Sequence, residues 1–162
     1  MQLRRRAENA YKYDIMTGLF TRNGFYKEFE RIVRTGGFDT LTLVLCDLDG
    51  LKYINDNFSH IDGDNAITVT ARALANACKD ALCAKYGGDE LLAVITGECD
   101  PQRIKADING YLDRYNAASG KKYKVSASVG IYTAHEEEDF NSMFSKADEL
   151  MYAEKSKKKA AR

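Results

Sequence analysis

Two pairs of closely spaced carboxylates stand out in this sequence as groups that could do chemistry. Asp47 and Asp49 come directly after the apolar run Leu41–Cys46, and Asp89 and Glu90 come directly after two glycines. Negative charges this close repel each other unless a cation or solvent relieves the repulsion. Carboxylate oxygens are hard ligands that suit Mg²⁺, which commonly brings substrate phosphates with it. A solvated turn is the simpler interpretation of the second pair alone, so its meaning depends on the elements around it.

The two glycines before the second acidic pair predict a tight hairpin turn. Apolar residues run from Leu82 to Tyr86 and resume from Leu91 to Thr96. Two-residue hairpin turns need positive backbone φ angles, which glycine adopts without strain. We therefore predict two antiparallel strands joined at Gly87 and Gly88, with the acidic pair at the tip.

Apolar spacing along the rest of the chain predicts the elements that would position the acidic pairs. Periods near 3.6 indicate helices, and short apolar runs or strict alternation indicate strands. The strand over 123–131 alternates apolar and polar residues, which is typical of a half-buried strand. The predicted elements, in chain order, are a helix over 25–33, a buried strand over 41–46, a helix over 67–77, strands over 82–86 and 91–96, a helix over 104–115, a strand over 123–131 and a helix over 144–151.

Small and polar residues mark the expected ends of these helices. Gly36 and Gly37 predict the end of the first helix, because glycine commonly follows the last helical turn. Asp62 or Asp64 could cap the second helix. Asp100, followed by proline, is a start signal for the third.

From the first strand onward, six elements follow the split βαβ order of ferredoxin-like folds. The predicted fold class is therefore α+β: a ferredoxin-like antiparallel sheet with helices packed around it. In this topology the first strand lies beside a strand of the central hairpin, so both acidic pairs can converge at one end of the sheet. Two metal ions held there could activate an attacking oxygen and stabilise a leaving one. The topology itself hosts many functions and does not select one.

Composition indicates one ordinary soluble domain. The chain has 162 residues, of which 44% are hydrophobic and 30% charged, and its formal net charge is zero. A balanced charge argues against a protein that works on nucleic acid or membrane surfaces. No apolar run reaches the length of a membrane span, and no signal peptide is visible. The four cysteines form no CxxC pair, which favours free thiols in a reducing cytosol.

Other kinds of site lack their residues. The sequence has no GxxxxGK[ST] phosphate loop, and Gly50 comes too early after Asp47 for a calcium-binding EF-hand loop. His60 and His135 have no metal-ligand partner at close spacing, and a loop hydrogen bond is the favoured interpretation of His60. The aromatic and basic strand signature of RNA-recognition modules is also absent.

Several motifs in matching order make the chain resemble the catalytic domain of GGDEF-family diguanylate cyclases. The similarity extends from Asp14 to about Lys159. The motifs that carry it are Asp14-x-x-Thr17-Gly18-Leu19, Asp47-Leu48-Asp49-x-x-Lys52-x-Ile54-Asn55-Asp56, His60-x-x-Gly63-Asp64, Gly87-Gly88-Asp89-Glu90, Ser128-x-Gly130 and Ala147-Asp148-x-x-x-Tyr152-x-x-Lys155. The fold that the resemblance implies is similar to nucleotide cyclases and polymerase palms.

The resemblance implies an enzyme that makes cyclic di-GMP from two GTP molecules. A 3′-hydroxyl of one GTP would attack the α-phosphate of the other and expel pyrophosphate. The implied cofactor is Mg²⁺, with Mn²⁺ as an alternative. Its implied ligands are Asp47, the Leu48 carbonyl, Asp89 and Glu90, and the implied catalytic residues are Asp89, Glu90 and Lys52.

The remaining implied residues bind substrate. Asn55 and Asp64 resemble the pair that recognises guanine, whose edge presents both an acceptor and N–H donors. Gly87 and Gly88 would let the backbone approach the nucleotide. Lys155, and with it Lys159, would face the phosphates.

The sequence also departs from the family pattern. Leu91 replaces the signature phenylalanine, and we expect the hairpin packing to survive because leucine is also apolar. Lys158-Lys159 stands where Gly-Arg is usual. The family's inhibitory product site, an Arg-x-x-Asp motif, is expected to be absent because Cys78 and Ala81 hold those positions.

The resemblance also implies partners and domain limits. We expect a linker helix over 1–13, with Leu3, Ala7 and Ala10 on one face, and a GGDEF domain over 14–162 that belongs to a longer protein with an upstream sensor domain. Each GTP would be held by one subunit of a homodimer, although the isolated domain is expected to be mostly monomeric. The expected location is the cytoplasm, free or as part of a membrane-anchored protein. The alternative function is a catalytically weak GTP-binding domain that regulates a neighbouring module.

Overall fold

The computed structural model describes residues 11–36 and 39–161, and within them it forms one five-stranded mixed sheet with five named helices. The predicted linker helix over 1–13 lies almost wholly outside the described residues, as does Gly37. The strands are β1 (Phe20–Thr21), β2 (Leu41–Leu48), β3 (Leu82–Lys85), β4 (Glu90–Thr96) and β5 (Ala127–Ala134). The helices are α1 (Arg22–Thr35), α2 (Leu51–Asn57), α3 (His60–Ala77), α4 (Pro101–Ala118) and α5 (Phe140–Ala160).

The sheet has the order β1-β3-β4-β2-β5. Strand β2 is antiparallel to β4 on one side and to β5 on the other, β3 is antiparallel to β4, and the short β1 is parallel to β3 at the edge. The four strands β2 to β5 with α3 and α4 form the predicted split βαβ unit. The predicted fold class is therefore confirmed, and β2 lies beside the hairpin strand β4 as expected.

Helices cover both faces of the sheet. Val44 and Cys46 point into a core with α2, α3 and α4, whereas Leu43 and Leu45 point into a second core with α1 and α5. All eight residues of β2 are buried as a result. A strand with no exposed face has no alternation of polar residues, which explains its continuous apolar run.

The prediction for the last strand was partly wrong. Tyr123 and Val125 are buried in the core, but they precede β5, which begins at Ala127. The polar or small positions Ser128 and Gly130 are buried as well, because α5 covers that face. A Cβ atom on Gly130 would lie 2.0 Å from the backbone oxygen of Ala147 in α5. The alternation in the sequence therefore reflects close helix packing and not solvent exposure.

The predicted start of the second helix was also wrong. Helix α3 begins at His60, and the Oγ of Ser59 accepts a hydrogen bond from the backbone N–H of Asp62 at 3.0 Å. Asp62 therefore does not cap this helix, and its carboxylate instead accepts from Lys121. Two other predicted boundaries are confirmed: Gly36 ends α1 with φ of 60°, and Asp100 caps α4 ahead of Pro101.

The predicted conformation of the hairpin turn was wrong too. Neither Gly87 nor Gly88 has a positive φ. Residues 86–89 form a longer connection, in which the backbone N–H groups of Tyr86 and Gly87 both donate to the Glu90 carbonyl, at 2.8 and 3.1 Å.

No helix among the described residues combines the length and apolar character needed to cross a bilayer.

The packing of α5 on β5 leads to a stability prediction. We expect Gly130→Ala to lower the free energy of unfolding by about 3 kcal/mol, because the new methyl group must displace backbone atoms of α5. Urea denaturation measures this change. Gly110→Ala is the matched control, since a Cβ there meets only a side-chain atom of Arg114 at 3.4 Å and alanine favours a helix. Equal unfolding midpoints for Gly130→Ala and the parent protein would contradict the packing described.

Candidate active site

The end of the central strand pair brings two of the predicted acids together. Asp47 is the register partner of Glu90, the first residue of β4. The backbone N–H of Leu48 donates to the carbonyl of Asp89 at 3.2 Å, which extends the pairing by one step into the hairpin. Asp47, Leu48, Asp89 and Glu90 therefore lie at one end of the sheet, as the topology predicted.

Asp49 does not join this group, although the sequence placed it in the same cluster. Its backbone leaves β2 and donates to the Ser126 carbonyl at 2.8 Å. Its carboxylate accepts hydrogen bonds from the hydroxyls of Ser128 at 2.7 Å and Ser126 at 3.1 Å, and it pairs with Lys158 at 3.3 Å. Asp49 thus joins β2, β5 and α5, and both of its oxygens are already used.

The carboxylates near the hairpin are electrostatically strained. Burial raises the pKa of Asp47, and the nearby charge of Asp89 raises it further, while a hydrogen bond from Lys155 opposes the rise. Partial burial and the charges of Asp47 and Asp89 likewise raise the pKa of Glu90. Burial is the main cause of both shifts, and repulsion from neighbouring acids adds to it, so a cation placed between these carboxylates would be stabilised.

Lys155 supplies such a positive charge in this structure. Its ammonium group donates to Oδ2 of the buried Asp47, and this contact raises the pKa of Lys155. The resemblance predicted that Lys155 would face substrate phosphates.

Within residues 11–36 and 39–161, no three acidic, histidine or cysteine side chains are arranged to hold a metal ion. The donor atoms nevertheless fit a hard divalent cation, because three carboxylates and a backbone carbonyl lie together at one strand end.

The glycines of the hairpin differ in what they permit. A Cβ on Gly87 would lie 2.8 Å from Oε2 of Glu90, so a side chain there would push the carboxylate away. Gly88 is exposed, and a Cβ there would meet no atom within 4 Å. Gly87 is therefore required to keep Glu90 where it is, whereas the space above Gly88 is open.

The two predicted guanine-recognising residues lie on neighbouring helices. Asn55 belongs to α2, and Asp64 is the fifth residue of α3. A Cβ on Gly63 would lie only 1.9 Å from Oδ1 of Asn55, so the amide lies directly against α3. Asn55 therefore lies beside Gly63, the residue that precedes Asp64 in the chain. The side chain of Asp64 is exposed.

A polar network that the sequence did not predict fixes the start of α3. The Asp62 carboxylate accepts from Ser59 at 2.7 Å, Lys121 at 2.8 Å and Tyr123 at 3.1 Å. The hydrogen bond from Lys121 is the main reason that the pKa of Asp62 is lowered to about 2. Lys121 and Tyr123, which precede β5, are 59 and 61 residues away from Asp62 in the chain. No local sequence pattern therefore indicates these contacts.

Lys52 and Lys159 are not brought to the acids in the described structure. Lys52 lies in an exposed ion pair with Asp56 at 3.1 Å on α2. Lys159 is exposed on the last turn of α5. Of the three lysines implied to act on substrate, Lys155 is the one in contact with the acidic group.

Sequence reasoning also missed Arg22, at the start of α1. Its guanidinium lies 4.5 Å from the centre of the Tyr86 ring, and the Tyr86 hydroxyl is 2.5 Å from that of Tyr26. The positive charge of Arg22 opposes the rise in the pKa of Glu90. The one sequence signal for Arg22 is its place shortly after the Asp14-x-x-Thr17-Gly18-Leu19 motif.

The departures from the family pattern have clear positions. Leu91 is buried in the core, in line with the expectation that hairpin packing survives the replacement of phenylalanine. Cys78 is buried and Ala81 is partly exposed. All four cysteines are free, and burial raises the pKa of Cys78 to about 12, which makes its thiol inert.

Comparison with known families agrees with this fold. The sequence model of the family described as "Diguanylate cyclase, GGDEF domain" matches residues 11–161. The chain therefore belongs to the GGDEF family of diguanylate cyclase domains.

Curated relatives include named cyclases. The diguanylate cyclase VdcA of Vibrio cholerae is 25% identical over 150 residues, which cover 88% of this chain and 44% of VdcA. The diguanylate cyclase DgcM of Escherichia coli is 30% identical over 167 residues, covering 95% of this chain and 38% of DgcM. An uncharacterised membrane protein of Staphylococcus epidermidis is 29% identical over 164 residues, covering 93% and 45%. The chain thus spans less than half the length of these relatives.

Solved structures share the fold. The coiled-coil and GGDEF domain of DgcB from Caulobacter crescentus, in complex with c-di-GMP, has a TM-score of 0.78 at 23% identity, covering 96% of this chain and 87% of that one. The GGDEF domain of TpbB (YfiN) from Pseudomonas aeruginosa has a TM-score of 0.76 at 25% identity, covering 90% and 89%.

The contact between Gly63 and Asn55 leads to a prediction about nucleotide binding. We expect Gly63→Ala to weaken GTP binding by about tenfold or more, because the new methyl group must move the Asn55 amide from its position. Calorimetric titration with GTP measures the affinity. Since the displaced atom ends a side chain, the unfolding free energy should fall by only about 1 kcal/mol. Unchanged GTP affinity would show that Asn55 does not contact the base.

Proposed function

We propose that this domain condenses two molecules of GTP into cyclic di-GMP and releases pyrophosphate. The observation that carries the proposal is the pairing of Asp47 with Glu90 at the end of the central strands, in a chain that belongs to the GGDEF family. Attack of a 3′-hydroxyl on an α-phosphate needs little covalent chemistry from the protein. Positioning of the two nucleotides and stabilisation of the developing charge supply most of the rate.

The acidic end of the strand pair is the proposed Mg²⁺ site. Asp47, Asp89, Glu90 and the carbonyl of Leu48 would hold the ion, with Mn²⁺ as a possible substitute. The N–H and C=O of one residue point to the same side of an antiparallel strand, so the Leu48 carbonyl faces the hairpin as its N–H does. When bound, the ion would neutralise phosphate charge and polarise the phosphoryl group.

The proposed substrate contacts divide between base and phosphates. Asn55 and Asp64 would hydrogen-bond the guanine edge, and the open space above Gly88 would admit the nucleotide next to Gly87. Lys155 and Lys159 would bind phosphate oxygens. Lys52, which is exposed on α2, would reach the phosphates of a bound triphosphate and act as a catalytic cation.

Two copies of the domain are needed for this reaction. One domain would hold one GTP, so a second domain has to present the other nucleotide across a homodimer. We propose that the isolated domain is mostly monomeric and that an upstream sensor domain of a longer protein controls the encounter. The likeness to a membrane protein of Staphylococcus epidermidis supports a membrane anchor elsewhere in the longer protein, and we propose that this domain lies on the cytoplasmic side.

The acidic site can be tested through Glu90. We expect Glu90→Gln to lower the rate of cyclic di-GMP formation by about a hundredfold or more, because it removes a charge that the transition state needs. Product is quantified by chromatography over a range of protein concentrations with GTP and Mg²⁺. Glu98→Gln is the matched control, since Glu98 is exposed beyond the end of β4. GTP binding without turnover by the unaltered protein would instead favour a catalytically weak regulatory domain. The departures from the family pattern at Leu91 and Lys159 would then help to explain the weak catalysis.

Base preference tests the second half of the site. We expect GTP to bind about a hundredfold more tightly than ATP, because adenine would present a ring acceptor to the Asp64 carboxylate. Asp64→Asn should abolish most of this preference. Asp113→Asn, which changes an exposed acid on α4, should leave it intact. Equal affinities of the unaltered protein for the two nucleotides would contradict the assignment of Asn55 and Asp64.

A further inference from the structure

Lys155 and Lys158, in the last turns of α5, each pair with a different acid and differ in how many other groups hold them. Lys155 contacts the carboxylate of Asp47, and Lys158, one turn further along, pairs with Asp49. Both acids are nearly buried, with side-chain exposures of 8% and 9%. Each lysine therefore neutralises an acid at the end of β2, but only Asp47 lies in the proposed metal site.

We propose that Lys155 is a resident counterion that competes with the divalent metal for Asp47 and transfers to the triphosphate when nucleotide binds. This inference rests on the proposed function. It makes metal and nucleotide binding mutually dependent in this chain, beyond the affinity of the ion for the nucleotide itself.

The need for a counterion follows from the surroundings of Asp47. The carboxylate is buried beside Asp89 and opposite Glu90, and a buried charge without a partner is strongly unfavourable. Lys155 donates to Oδ2, one of the two oxygens with which Asp47 could bind a metal. An ammonium ion and a divalent cation in the same contact would repel each other, so the two states exclude one another.

The ability of Lys155 to leave follows from how little else holds it. Among the described residues, Asp47 is its one hydrogen-bond acceptor. Lys158, in contrast, donates to Asp49 and to the Ala127 carbonyl and lies 3.6 Å from Glu154. A lysine on a flexible four-carbon stem can swing to a new anion at little cost. Lys155 is therefore free to exchange partners, whereas Lys158 is fixed.

The exchange becomes favourable when both charges gain new partners. If the metal bound alone, it would displace Lys155 from Asp47 and leave the lysine without an anion. If the nucleotide bound alone, it would draw Lys155 away and leave the buried Asp47 carboxylate without a cation. A metal–triphosphate complex supplies a cation to Asp47 and phosphate oxygens to Lys155. Since coupling between two ligands is reciprocal, each should raise the affinity of the protein for the other.

Manganese binding without nucleotide tests the competition directly. The full chain, Lys155→Met and Lys158→Met are titrated with Mn²⁺, and the free ion is followed by electron paramagnetic resonance. We expect Lys155→Met to bind Mn²⁺ about tenfold more tightly than the unaltered chain, which corresponds to about 1.4 kcal/mol. Lys158→Met removes an equivalent charge from Asp49 and should leave the affinity unchanged. Asp47→Asn added to Lys155→Met should abolish the gain.

Thermal unfolding gives a second readout if the methionine variant is less stable. Mn²⁺ should raise the melting temperature of Lys155→Met, or of Lys155→Gln, by more than it raises that of the unaltered chain. Equal or weaker Mn²⁺ binding by the Lys155 variants, or an equal gain in Lys158→Met, would overturn the proposal. These measurements need no turnover, so they separate a failure of the counterion exchange from a failure of cyclase activity.

Discussion

The register between β2 and β4 is the constraint on which the site depends. It sets Asp47 opposite Glu90, and helices bury both faces of β2. A slip by one residue would turn every side chain of β2 to the opposite core, so the large apolar residues of both cores lock the register. The apolar packing thus forces together two carboxylates that repel each other. The energy of the cores holds the acids in place, and the acids in turn attract a cation.

The two nearly buried acids at the end of β2 are neutralised in different ways. Asp49 is satisfied by fixed partners, the hydroxyls of Ser126 and Ser128 and the well-anchored Lys158. Asp47 has one movable partner, Lys155, and acidic neighbours. A fully satisfied carboxylate stabilises structure, whereas one with a replaceable partner can bind a ligand. This difference in partners, and not the acidity of the sequence, separates the structural acid from the proposed metal ligand.

Features that depend on neighbours in the chain could be predicted from the sequence, and features that depend on distant contacts could not. The buried strand β2, the hairpin pair and the ferredoxin-like order follow from local apolar runs. The start of α3 was missed because the carboxylate of Asp62 is used by Lys121 and Tyr123, which local patterns cannot reveal. The turn at Gly87 was misjudged for a related reason: glycine is required there by the nearby Glu90 side chain and not by a positive φ.

Helix α5 takes part both in the packing of the core and in the contacts of the acidic site. Gly130 allows the backbone of α5 near Ala147 to approach β5 more closely than any side chain would permit. Lys155 follows Ala147 by eight residues, which is about 12 Å along a helix. The glycine that lets α5 pack closely on β5 and the lysine that neutralises Asp47 therefore meet on one helix, although neither can be linked to the other from the local sequence.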